Sequence, residues 1–312
     1  MMKFSLVIPV APERGAEILN SIKQLDYPKS YFEAIVVKGK NPSDNRNIGV
    51  KKAKAEIIIF LDDDAVLEKD YLRAVEKFLE GHKEIDIVGG PQLTPKDDKG
   101  FAKISGYALS SKFGAWKISN RYCANKEILD VDETAITSAN LICKKKVFEK
   151  ISFDSKLFPG EDPKFIADAK KNNFRVAYSP NIVIYHRRRE NIRGLIKQIF
   201  NYGKVRPQKE KFFETLKMPF FFIPSMFVIY LFSLLILILS NLVITGTKFN
   251  NPVFFMIIPL IIYILMSISF SLYDSAKNKN IRAIFVLPFI YFVIHLSYGY
   301  GMIYGYLKKL KI

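Results

Sequence analysis

Cysteine is scarce in this 312-residue chain: Cys123 and Cys143 are the only two, and their spacing is not that of a metal site. So few thiols fit a reduced, cytosol-facing protein in which both are simply packed. Acidic residues are also few, 30 against 47 Lys and Arg, for a formal net charge of +17. That imbalance selects polyanionic partners. Long apolar runs are missing from the first two thirds and begin only after Phe220. Their presence favours an anionic membrane surface and phosphate-bearing substrates over nucleic acid. The N-terminal apolar stretch, Phe4-Ser5-Leu6-Val7-Ile8-Pro9, is too short for a signal peptide and reads as a first strand. No glycine-rich phosphate loop follows that strand, where Pro9-Val10-Ala11-Pro12 stands instead. This counts against a nucleotidyltransferase. The single tryptophan, Trp116, is either a core or interface anchor or a platform for stacking a sugar.

The most informative stretch is Glu56-Ile57-Ile58-Ile59-Phe60-Leu61-Asp62-Asp63-Asp64. Its apolar, β-branched run describes a strand buried on both faces, as in a parallel sheet covered by helices. Three carboxylates at its end repel one another and need a cation or solvent. In open α/β sheets ligands bind outside the carboxyl ends of strands. Mg²⁺ or Mn²⁺ takes one or two carboxylates together with substrate phosphates. The competing reading is a solvated acidic turn with Asp64 as N-cap of the next helix.

Strands are expected at 4–9, 31–37, 57–61 and 85–88, with helices at 13–24, 44–53 (capped by Ser43 or Asp44) and 69–79 between them. Such alternation gives a doubly wound, mostly parallel α/β sheet. Residues 93–136 are less regular and suit a substrate-shaping excursion, with Trp116 and Arg121 as contacts. A strand at 138–143, a short helix at 144–151, a helix at 163–172 capped by Asp162, and strands at 175–178 and 182–185 complete the domain. The expected division is a catalytic domain over 1–211 and a membrane domain over 212–312.

From His186 to Lys217 there are ten basic and three acidic residues, the positive-inside flank of a membrane segment. Apolar blocks follow at 220–244, 253–272 and 283–307, each long enough to cross a hydrocarbon core of about 30 Å. Pro224, Pro259 and Pro288 interrupt them, and Gly301 and Gly305 permit close helix packing. Three simple spans carry a conflict. With the flank before Phe220 and the Lys277–Arg282 loop on the cytoplasmic side, Lys308, Lys309 and Lys311 fall outside. A re-entrant or interfacial block, or a tail that simply breaks the bias, would account for it; three membrane segments are the expectation, with the parity of the last left open.

Five pieces in order then carry a resemblance. They are Val7-Ile8-Pro9-Val10, Asp44-Asn45-Arg46-Asn47-Ile48-Gly49, Phe60-Leu61-Asp62-Asp63-Asp64, Gly89-Gly90-Pro91 and Phe158-Pro159-Gly160-Glu161-Asp162. Over about 190 residues the chain resembles the inverting family 2 glycosyltransferases of GT-A fold. The segment His186-Arg187-Arg188-Arg189, followed by Asn201-Tyr202-Gly203, is similar to membrane-attached members that extend lipid-linked glycans or polysaccharides.

The resemblance implies a metal-assisted single displacement from a UDP- or GDP-sugar to a polyprenyl phosphate, a lipid-linked oligosaccharide or a growing glycan. Asp62 and Asp64 are then expected at Mn²⁺ or Mg²⁺, with Asp62 also near ribose and Asp63 among the nucleotide contacts or pointing away. His186 joins the metal, contacts the pyrophosphate, or is a hydrogen-bonded structural residue. Asp162 is the expected general base, with Glu161 orienting it or touching the acceptor, and Asp162 must be desolvated enough to offset the helix dipole, which lowers basicity. Pro9, Ala11 and Glu13 are expected at base or ribose, and Arg46 and Asn47 at the nucleotide, although Arg46 could equally pair with a carboxylate. Lys38 departs from the pattern: Lys38-Gly39-Lys40 stands where relatives carry acids, so Lys38 meets a phosphate or a base carbonyl. Arg187, Arg188 and Arg189 are expected at donor or acceptor phosphate. Other expected partners are membrane lipids, with the protein multi-pass in the cell membrane and its catalytic domain cytoplasmic. The rival readings are a nucleotidyltransferase and a membrane scaffold or flippase subunit with an inactive nucleotide-binding domain.

Overall fold

The structure is a computed structural model that describes residues 2–245 and 251–309. The chain divides into two compact units, Met1–Ser110 with Ala115–Arg188, and Ser111–Gly114 with Arg189–Ile312. The first therefore ends at Arg188, ahead of the boundary expected at 211, because the basic helix that follows belongs with the apolar helices.

The first unit runs β1 (Phe4–Val10), α1 (Leu19–Lys23), β2 (Phe32–Lys38), α2 (Pro42–Lys52), β3 (Ile57–Leu61), β4 (Ala65–Leu67), α3 (Tyr71–Gly81), β5 (Ile87–Gly89) and β6 (Gln92–Leu93). It continues with α4 (Gly100–Ser110), β7 (Asn140–Lys144), α6 (Glu161–Lys171), β8 (Val176–Tyr178) and β9 (Ile184–His186), while the short α5 (Lys112–Ala115) falls almost wholly in the Ser111–Gly114 segment of the second unit. Six strands form a mixed sheet in the order β2-β1-β3-β7-β5-β8, and β4-β9-β6 form a second, smaller one. Only β7 runs antiparallel to its neighbours in the large sheet. The mixed α/β class follows the expectation, with that one reversed strand added.

β3 is central because its side chains serve both faces. Ile59 and Leu61 join Leu6, Ile8, Tyr71 and Val75 on one side. Ile58 and Phe60 join Val7, Cys143, Phe153 and Phe165 on the other. The period-two alternation of a strand makes this division. Phe60 packs edge-on to Phe153 at 5.1 Å, and Phe153 stacks on Phe165 at 4.4 Å. Burying such a side chain contributes about 1.5–3 kcal/mol, which ties α6 to the sheet.

Several local expectations are corrected. The first helix is only Leu19–Lys23, since residues 13–18 are turns and irregular chain after β1. Helix α2 starts at Pro42 and is capped by Asn41, whose side chain accepts from the amides of Ser43 and Asp44. No helix follows Asp64 directly; the chain enters β4, so Asp64 caps nothing. Residues 145–149 form a 3₁₀ turn, and the irregular middle contains α4. Helix α6 begins at Glu161 with Gly160 as its N-cap residue at φ 117°, without a side-chain cap. Asp162 is therefore inside the first turn and is not the cap.

The second unit contains α7 (Ile192–Lys209), α8 (Phe212–Leu216), α9 (Ile223–Thr245), α10 (Asn251–Lys277) and α11 (Ala283–Lys309). Three stretches, Pro219–Val243, Val253–Lys277 and Ala283–Lys309, are long and apolar enough to cross a membrane. Side chains on α9 and α10 such as Phe232, Leu235, Phe254 and Phe255 are exposed, as a lipid-facing surface requires. Lys311, one of the lysines in the topological conflict, lies outside the described residues.

Candidate active site

The rim of the large sheet gathers the ends of β1, β2 and β3 and the start of β7. Asp62 follows β3 directly there. The second sheet adds the imidazole: β9 pairs antiparallel with β4 so that His186 lies opposite Ala65, next to Asp64. His186 Nε2 is 3.1 Å from Asp64 Oδ1 and 3.5 Å from Asp62 Oδ2. Its Nδ1 donates to the carbonyl of Arg187 at 3.1 Å, which leaves Nε2 facing the two carboxylates. Ligand atoms of Asp62, Asp64 and His186 lie within 4.8 Å of one another. Two carboxylates and an oriented imidazole are a donor set suited to a divalent ion.

Arg14, which was not among the expected site residues, sits on this cluster. Its guanidinium donates to Asp64 Oδ2 at 2.9 Å and lies 3.2 Å from Asp63 Oδ1. The available signal was a cation placed just after β1, where the Arg14 amide closes a turn on the Ala11 carbonyl at 3.0 Å. Burial works against an ionised Asp64, yet the hydrogen bonds from His186 and Arg14 hold it below the usual carboxylate range. Burial pushes Asp63 up to about 6, with Arg14 opposing and the two flanking aspartates adding. Burial also disfavours a charged His186, but hydrogen bonds to Asp62 and Asp64 outweigh it and push the imidazole up to about 9.

The second carboxylate pair is held by Arg46. Arg46 Nη1 donates to Glu161 Oε1 at 2.7 Å, while Nη2 is 3.7 Å from Asp62 Oδ1. Both Arg46 and Glu161 are almost fully buried, and the guanidinium lies over Phe153 at 5.4 Å. One residue of α2 thus touches the carboxylate cluster after β3 and the first turn of α6. Asp162 Oδ2 accepts from the Ser138 amide at 3.4 Å, just before β7. Burial pushes Asp162 above its ordinary value; Arg121 and Arg46 oppose this, and Asp62 adds to it. Glu161 is pushed up to about 7 by burial and by Asp162, again against Arg46. The desolvation that a basic Asp162 requires at a helix start is therefore present.

Other expected residues are placed differently. Pro9 and Lys38 sit at the paired ends of β1 and β2, followed by Ala11 and an exposed Glu13. Asn47 instead staples α2 to the loop at Phe153, donating to its carbonyl at 2.9 Å and accepting from its amide at 3.1 Å. Arg187 pairs with Asp97 and Asp98 at 3.0 Å each. Arg188 is buried, donates to Thr94 Oγ1 and the Gln92 carbonyl, and lies over Tyr122. Arg189 belongs to the second unit. The Gly89-Gly90-Pro91 turn has a packing reason: a Cβ on Gly90 would collide with the Ile182 carbonyl. Trp116 is 59% exposed, which removes its reading as a core anchor.

The family model described as Glycosyl transferase family group 2 matches residues 57–304. The poly(ribitol-phosphate) β-N-acetylglucosaminyltransferase TarS of Staphylococcus aureus is 29% identical over 26% of this chain and 20% of that protein. This chain thus spans about a fifth of the length of that relative. A dolichyl N-acetyl-α-D-glucosaminyl phosphate 3-β-D-2,3-diacetamido-2,3-dideoxy-β-D-glucuronosyltransferase of Methanococcus voltae is 22% identical over 97% of both chains. Among solved structures, the Pyrobaculum calidifontis mannosyltransferase PcManGT, in complex with GDP-Man and Mn²⁺, aligns with a TM-score of 0.47 at 16% identity. That alignment covers 66% of this chain and 62% of the other.

Proposed function

Because the chain belongs to glycosyl transferase family group 2, we propose that it transfers a sugar, with inversion, from a nucleoside diphosphate sugar to a lipid-linked acceptor. The observation that carries this reading is Arg46, which touches Asp62 at one end and Glu161 at the other. Two carboxylate clusters, distant in sequence, thereby serve one site at the sheet rim.

In this reading Asp64, Asp62 and His186 hold the divalent ion. Bound there, it would stabilise charge on the departing diphosphate. Asp162 accepts the proton from the acceptor hydroxyl. Ser138 and Arg46 keep its carboxyl oriented, and Glu161 fixes Arg46. The buried Arg46 Nε–H has no hydrogen-bond partner among the described residues, which suits a donor awaiting a ligand oxygen. Arg14 exchanges its carboxylates for the diphosphate when the donor enters, since a planar guanidinium suits phosphate oxygens. Pro9, Ala11, Glu13 and Lys38 line the side where base and ribose sit, the donor being a UDP- or GDP-sugar.

A phosphate-linked polyprenyl sugar is the acceptor best supported, because the Methanococcus voltae relative, matched along nearly its whole length, is named for such a substrate. The apolar helices hold the enzyme in the membrane. The basic segment 186–217 orients the first unit to the cytoplasm. The test is incubation of the purified protein with UDP- and GDP-sugars, Mn²⁺ and polyprenyl-phosphate sugars. Release of nucleoside diphosphate with a product of inverted anomeric configuration is expected. A retained configuration, or no turnover of any donor, would overturn the proposal.

A further inference from the structure

Helices α7 and α11 lie side by side in the second unit, and their contacts fix a direction. Gly203 faces the backbone of Tyr298 and Met302, Gly301 faces Phe200, and Gly305 faces Lys204. Residue numbers rise together, so α7 and the second half of α11 run parallel. At their ends Lys309 Nζ donates to the carbonyls of Pro207 and Glu210. Phe222, just before α9, stacks on Tyr306. The last turn of α11 therefore sits beside the end of α7 and the start of α9.

This adjacency constrains how often the chain crosses a bilayer. Helix α7 carries Arg193, Lys197, Lys204, Arg206 and Lys209 and cannot span hydrocarbon. Residues 210–222 are too few and too charged to cross, since a span needs about 20 apolar residues. The end of α7 and the start of α9 are thus on one side. If α9 leads out and α10 returns, α11 starts on that same side. Its end touches Pro207 and Glu210, so it finishes there as well. An even number of crossings is the only count that satisfies the contact.

We propose that α9 and α10 alone cross the bilayer, and that α11 lies with α7 on the basic side as a surface seated in the anionic headgroup layer. Composition and burial agree. The apolar windows of α9 and α10 are each only 11% buried inside the protein, whereas that of α11 is 44% buried. Tyr298, Tyr300, Tyr304 and Tyr306 crowd the second half of α11, and tyrosine collects at membrane–water boundaries. Exposed Arg193, Lys197 and Lys308 supply charge complementary to the phosphates of an anionic lipid surface. The first half of α11 is also at a depth that polar chain can reach. Phe113, from the Ser111–Gly114 segment, packs on Tyr263, Phe270, Tyr291 and His295, and His295 Nε2 donates to its carbonyl at 2.9 Å. Lys308 and Lys309 then join the other cations on one face, and the conflict with the positive-inside rule disappears.

The proposal rests on α9 and α10 as crossing helices, so its test separates the two. Single cysteines replace Lys211, Lys248 or Lys308 in the full chain carrying Cys123→Ser and Cys143→Ala, in sealed vesicles of known sidedness. An impermeant maleimide should label Lys308→Cys with Lys211→Cys, and Lys248→Cys from the opposite face. Labelling of Lys308→Cys with Lys248→Cys overturns the proposal and leaves the two spans standing. Labelling of Lys248→Cys with Lys211→Cys removes the spans and the proposal together. A spin label at Tyr300→Cys gives an independent depth: a position at the headgroup boundary is expected, and one near the bilayer centre overturns it.

Discussion

Arg46 and Glu161 form an ion pair of 2.7 Å between α2 and the first turn of α6, with both side chains almost fully removed from water. A buried pair of this kind is costly to break from one side, because the remaining charge is left uncompensated. It also sets the electrostatics of Asp162, the next residue in the helix.

Arg46→Gln should therefore lose stability by about 3–5 kcal/mol and lower turnover as well. Arg46→Lys should recover part of the stability but not the two-ended contact. Urea unfolding of the detergent-purified protein, beside donor turnover, reads both effects. Wild-type stability in Arg46→Gln would show the pair to be dispensable.

The pH dependence follows from the same pair. Glu161 is raised to about 7 and Asp162 is raised by burial, so the native state holds these protons more tightly than the unfolded chain. Their contribution to stability is present below the ordinary carboxylate range and is lost as pH rises toward 7. Activity runs the other way, because the base must be ionised: with Asp162 raised by burial, kcat/KM should fall on the acid side at a pH above the ordinary carboxylate range. Removing Arg46 takes away a charge that favours ionisation and should move that limb to higher pH. A limb at the ordinary carboxylate pKa would contradict the assignment.

Asp162→Asn should abolish transfer, by roughly a thousandfold or more for loss of a general base, with little change in fold. The side chain is not the helix cap, so an isosteric amide removes no capping bond. Circular dichroism and donor binding should stay near wild type while transfer vanishes.

Arg14→Ala should strengthen Mn²⁺ binding in the absence of nucleotide, because the guanidinium competes for Asp63 and Asp64. For a half-exposed pair the gain is modest, roughly threefold to fivefold. Binding of the nucleotide sugar should weaken in the same variant. Electron paramagnetic resonance titration of Mn²⁺ measures the first effect and calorimetry the second; unchanged values in both would leave Arg14 without a role at the site.

Gly301→Leu should destabilise the second unit by about 1–3 kcal/mol, because the added side chain meets the backbone at Phe200 and Lys204. A lowered melting temperature in detergent is the expected reading.

Legible in the order of residues alone are the buried strand Ile57–Leu61 with its three aspartates, the α/β class, the basic flank and the three apolar blocks. These are local properties: periodicity, run length and charge density are written in neighbouring residues. The sequence also named Arg46, Glu161 and Asp162 from motif order. It did not identify Arg14 as a partner of Asp64, nor foresee that Asn47 and Arg188 are spent on holding loops. Nor could it show that Asp162 lies inside a helix that Gly160 opens, or that β7 runs backwards through the sheet. Those facts depend on which distant segments meet, and a side chain's partner is decided by the packing of whole elements. The end of α11 beside the end of α7 is the same kind of fact: hydropathy measures whether a helix is long enough to cross, and only a tertiary contact says on which side it finishes.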